Sequence, residues 1–106
     1  MGMGTVQPIQ LSDAGFIKKL RALAKDSHRV VLTTHAKKRM RQRRINMHQV
    51  LECLRKGRIY EPAHLTIQGD WKATLEHQSA GDVVRVAVAI EKQEEGDLAV
   101  VVTVMD

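Results

Sequence analysis

DVVRVAVAIE, residues 82–91, alternates without a break. Val84, Val86, Val88 and Ile90 fall on one side, and Arg85, Ala87 and Ala89 on the other. That period of two predicts a strand with one face in a core. Two neighbouring stretches have the same character. WKATLEH, residues 71–77, puts Trp71, Ala73 and Leu75 on one face, and LAVVVTVM, residues 98–105, is apolar on both faces, as in a central strand. By simple alternation Thr103 shares a face with Ala99, Val101 and Met105. QSAGD and KQEEGD read as glycine-containing hairpin loops. Ile59–Tyr60 and Leu65–Ile67 are candidate edge strands, and Pro62 excludes a helix between them.

Upstream the period changes. Phe16, Ile17, Leu20, Leu23 and Ala24 recur at helical spacing, which predicts a helix over 13–26 with Ser12 as its N-cap. RVVLTT, residues 29–34, is β-branched and reads as a short strand. A second helix is expected over 35–43 with Thr34 as its cap. In the third, INMHQVLECLRKG, Asn46 and Gln49 have capping-box spacing and Met47, Val50, Leu51 and Leu54 form an apolar stripe. Gly57 stands where a left-handed residue often ends a helix. The expected architecture is α+β, with N-terminal helices on one face of a mostly antiparallel sheet.

The chain has 106 residues, room for one domain with a real core. It is read as a domain over 12–106 after a loose tail over 1–11. One cysteine, Cys53, cannot form an internal disulfide, so a reducing, cytoplasmic setting is expected. No apolar run reaches the ~20 residues of a membrane span, and the opening residues are not expected to act as a signal peptide, lacking a charged-then-apolar pattern. The net charge of +5 is unevenly spread. Residues 1–57 hold 13 Lys or Arg against 3 Asp or Glu, and residues 58–106 hold 4 against 9. A basic half that meets a polyanion and an acidic half that serves as scaffold is the physical reading.

The charge peaks in THAKKRMRQRR, residues 34–44, with six Lys or Arg and His35. On a helix His35, Arg39 and Arg43 lie at i, i+4 and i+8 along one edge of the Ala36–Met40 stripe, which predicts three groups meeting at the helix–sheet seam. Lys37, Lys38 and Arg41 point elsewhere and, with Arg44, are candidate nucleic-acid contacts. An imidazole is the side chain most easily poised for proton transfer near neutral pH. Arginine offers a planar fork for phosphate, stronger where partly desolvated. Together they are parts for phosphodiester cleavage without a metal. The alternative is structural: an arginine at such a seam can pair with Glu76 or Asp82. His77 extends the Trp71 face. Neither the spacing of the histidines nor Cys53 offers a zinc set, and no glycine-rich phosphate loop is present, so no metal or cofactor is expected. With 3% aromatic residues, a stacking-based single-strand binder is disfavoured.

HAKKRMRQRRI, then MHQVLECLRKGRI, a tryptophan-bearing strand, VVRVAVAI and VVVTV resemble an uncharacterised bacterial domain family with the pattern His-Ala-x-x-Arg-Met-x-x-Arg-x-Ile. The resemblance spans about residues 33–105. That family is similar to the small ribonuclease-toxin superfamily of RelE, barnase-like and EndoU-like enzymes. The resemblance implies a RelE/barnase-like fold with helices on one side of a four-stranded antiparallel sheet, metal-independent RNA cleavage and a neutralising antitoxin protein as partner. By position it points to His35, Arg39, Arg43, Arg85 and Thr103 as the catalytic set. This chain departs from typical toxins of that kind in its extra first helix and in having one tyrosine, Tyr60. Two functions follow as expectations. One is an endoribonuclease. The other is a non-catalytic module that binds nucleic acid or protein in a mobile element or toxin–antitoxin locus.

Overall fold

The computed structural model describes residues 11–79 and 81–105. Ser12 opens helix α1 (Asp13–Ala24) by accepting the Gly15 N–H, and Phe16, Leu20 and Ala24 turn inward. A 3-10 turn over Ser27–Arg29 leads into strand β1 (Val30–Leu32). Helices α2 (Thr34–Arg43) and α3 (Met47–Lys56) follow, then strands β2 (Arg58–Leu65), β3 (Trp71–Ser79), β4 (Asp82–Glu91) and β5 (Leu98–Met105). The expected tail lies outside the described residues except for Leu11, which packs against the core.

The five strands form one mixed sheet in the order β1-β5-β4-β3-β2. This corrects the four-stranded expectation. β1 is the added strand, and it runs parallel to β5, with Val31 opposite Val100. A parallel pair needs a long crossover, so no local turn advertises it. β2 joins the Ile59–Tyr60 segment to Leu65 through Pro62 and ends there, so Thr66 and Ile67 of the second candidate segment fall outside it; it lies at the sheet edge beside β3 and carries bulges on either side of Glu61. Proline is tolerated there because an edge strand need not donate to a further neighbour.

The predicted alternation of β4 places Val84, Val86, Val88 and Ile90 in the core beside Ala73, Leu75, Ala99, Val101 and Val104. α3 packs across β3 and β4, and α2 lies against β5 and β1. Phe16, Ala36, Met40, Val50 and Leu54 join the same cluster, so all three helices share one core. Two arginines cap each other's helices. Arg55 Nε donates to the Ala24 carbonyl at 2.7 Å, and Arg21 donates to the carbonyls of Arg55 and Gly57. Each places a cation on C-terminal carbonyls that lack a helical partner.

Two details differ from expectation. The cap of α2 is Thr33, not Thr34, and its side chain accepts the Ala36 N–H. Gly57 ends α3 in an extended conformation, φ −69°, rather than a left-handed one. Close approach is what requires glycine here: a Cβ would run into the Cys53 carbonyl oxygen and crowd that of Glu76.

Candidate functional site

α2 is pinned at both ends. Thr33 Oγ1 accepts the Ala36 N–H at 3.0 Å and donates to the Val102 carbonyl at 2.9 Å, while its own N–H donates to Val101. One residue thus caps the helix and ties its start to β5. At the other end Arg44 turns left-handed, φ 56°, and the Ile45 N–H bonds back to the Met40 carbonyl. Between the pins Ala36 and Met40 are buried. That rotation leaves two flanks.

His35, Arg39 and Arg43 occupy successive turns of one flank. Arg39 is half-buried and its Nη1 lies 3.4 Å from Gln42 Oε1, whereas His35 and Arg43 are exposed. The expected half-dry meeting of all three is therefore corrected: Arg39 alone is half-buried. On the other flank Lys37, Arg41 and Arg44 rim an open groove of about 360 Å³ whose lining includes Leu32, Met40 and Ile45. Lys38 is exposed and lies outside that groove. Among the described residues, Lys37, Lys38, Arg39, Arg41 and Arg44 make no ion pair with a carboxylate. Three acidic side chains are paired with other cations: Glu76 with Arg58 and Arg85, Glu52 with Lys56, and Asp97 with Lys19.

Arg85 and Thr103 share the sheet face opposite the core. A bulge in β5 places Thr103 opposite Ala87 and Met105 opposite Arg85, with Val101 opposite Val88. Thr103 is thus removed from the Ala99–Val101 face to which unbroken alternation assigns it. Arg85 is already held. Its Nε donates to Glu76 Oε2 at 2.9 Å, and its Cζ lies 4.1 Å from the Tyr60 ring centroid. Glu76 also receives Arg58 at 3.2 Å. Arg85 first, and Arg58 second, hold the Glu76 carboxyl below the usual carboxylate range. Sequence reasoning named Glu76 as a pairing partner for an arginine, but not for Arg85. The Glu76–Arg85 opposition follows from the hairpin register, which alternation alone leaves open.

The remaining candidates resolve into structural roles or a second polar network. Cys53 is fully buried, its thiol aimed at the Val84 carbonyl, and burial pushes its pKa up to about 12. Glu52 gathers His48 at 3.6 Å, His77 at 3.8 Å and Ser79 at 3.4 Å, which ties α3 to β3. Among the described residues no three His, Cys, Asp or Glu groups could hold a metal ion, and no helix is long and apolar enough to cross a membrane.

Residues 32–106 match a family model described as a domain of unknown function (DUF4258). The match starts at the end of β1 and takes in α2, α3 and strands β2 to β5. No curated protein and no solved structure matches the chain.

Proposed function

The chain belongs to the DUF4258 family, and we propose that it is a metal-independent endoribonuclease of toxin type with a RelE/barnase-like architecture. The observation that carries this reading is the first flank of α2. An exposed histidine in the first helical turn is followed at four-residue intervals by Arg39 and Arg43. The helix around them is strongly basic, and among the described residues Lys37, Lys38, Arg39 and Arg41 have no carboxylate partner. In the proposed step His35 takes the proton of an RNA 2′-hydroxyl. The 2′-oxygen bonds to phosphorus, the bond to the 5′-oxygen breaks, and that oxygen leaves with a proton from imidazolium or water. Arg39 and Arg43 hold the phosphate and offset the charge that develops on it. Thr103 and Arg85 lie on the sheet face opposite the core that α2 packs against, and Arg85 is engaged by Glu76 and Tyr60, so neither takes a part in this step. The products carry a 2′,3′-cyclic phosphate and a 5′-hydroxyl.

The test compares wild type with His35→Ala, both on expression and on purified RNA with a chelator present. Wild type should arrest growth and break RNA. His35→Ala should lose roughly 10²–10⁴-fold in rate, the usual contribution of a general base, while RNA affinity stays within a few-fold. Cleavage that survives in His35→Ala, or an intact protein that never cuts, would leave the non-catalytic nucleic-acid-binding module as the better account. An antitoxin-like inhibitor is the partner this reading implies.

A further inference from the structure

The second flank of α2 has a chemistry that RNA does not need. Leu32, Met40 and Ile45 contribute an aliphatic floor, with Met40 and Ile45 each 9% exposed. Lys37, Arg41 and Arg44 rim it, all three exposed, and none is neutralised by a carboxylate among the described residues. The volume of about 360 Å³ lies within the ~300–1,000 Å³ range of ligand sites and accommodates a few aliphatic side chains. Among the described residues no aromatic side chain lines it, so a nucleobase would find no ring there to stack on. Bare phosphates would gain the three cations but leave the apolar floor wet.

From this we infer that the groove is a docking site for a partner protein, and that the segment it takes is acidic and amphipathic. Apolar anchors at helical spacing would cover Leu32, Met40 and Ile45. Asp or Glu beside them would meet Lys37, Arg41 and Arg44, a pairing that fixes register and speeds encounter. The left-handed turn at Arg44 is what bends the chain so that Ile45 enters the floor while Arg44 stays on the rim. The inference stands on charge complementarity around an apolar floor and does not depend on the ribonuclease reading.

The probe is a labelled helix-forming peptide with leucines on one stripe and glutamates on the remaining positions, titrated onto the full chain by fluorescence anisotropy. Three competitors accompany it: a scrambled peptide of the same composition, a version with Gln for Glu, and a short single-stranded RNA. The amphipathic acidic peptide should bind at least about tenfold more tightly than the scrambled and Gln versions, a difference of ~1.4 kcal/mol. Lys37→Glu/Arg41→Glu should weaken it by a similar factor with the circular dichroism unchanged, since both side chains are exposed. Leu32→Gln, checked for folding in the same way, should also weaken it. Equal binding of the scrambled peptide, displacement by RNA through the same two cations, or no binding by the full chain would each overturn the proposal.

Discussion

Cys53 shows how a single residue can be chemically silent. Its side chain is fully buried between α3 and the sheet, and the thiol is raised to about 12. A thiolate is the reactive form, so native Cys53 should be alkylated only when the chain opens. The rate of iodoacetamide labelling should rise with urea in step with unfolding; fast labelling of native protein would contradict this burial. The same raised value has a sign for stability. Between the ordinary thiol range near ~8.5 and about 12, the unfolded chain has lost a proton that the native chain keeps. Stability should therefore fall as pH rises through that window, and Cys53→Ala should remove that part of the slope. Glu76 has the opposite sign. Its depressed carboxyl contributes stability above the ordinary carboxylate range, and that contribution is lost as pH falls through its folded value. The burial of Cys53 was not legible, since it stands on a flank of α3 beside the Met47–Val50–Leu51–Leu54 stripe rather than in it. Nor was the grip of Glu76 and Tyr60 on Arg85, because both partners come from other strands and only the ladder register sets them opposite.

At the scale of elements, α2 depends on its first hydrogen bonds. Thr33→Ala removes both the cap and the tie to Val102, so it should cost about 1–2 kcal/mol by urea denaturation. Thr34→Ala, one residue inside the helix and exposed, should change stability by less than about 0.5 kcal/mol. The reverse ranking would return the cap to Thr34, where β-branching and helical spacing alone had placed it. Arg44→Gly should relieve about 1 kcal/mol of left-handed strain. The strands 82–91 and 98–105 were legible to the residue, the first from strict alternation and the second from an unbroken apolar run, each preceded by a glycine-containing loop. The bulge beside Thr103 was not, since one extra residue in a strand apolar on both faces leaves no trace in the pattern. The parallel pairing of β1 was equally silent: three residues with no turn signal do not announce a partner almost seventy residues away.

Across the whole molecule the charge separation becomes a division of labour. The basic half folds into the helices and β1, and the acidic half builds the four antiparallel strands behind them. α2 concentrates the positive field and, in the readings proposed above, splits it between two ligands: RNA along His35, Arg39 and Arg43, and an acidic segment along Lys37, Arg41 and Arg44. Salt dependence separates the flanks. For a single strand, each lost phosphate contact lowers the slope of log affinity against log salt by roughly 0.7. Arg39→Ala/Arg43→Ala should therefore flatten the slope for a single-stranded RNA by roughly 1.4. Lys37→Ala/Arg41→Ala, which removes the same formal charge from the same helix, should leave that slope nearly unchanged and act on peptide binding instead. Isothermal titration at several salt concentrations measures both. Equal flattening by the two pairs would mean that RNA wraps the helix without regard to side, and the assignment of separate flanks would fail.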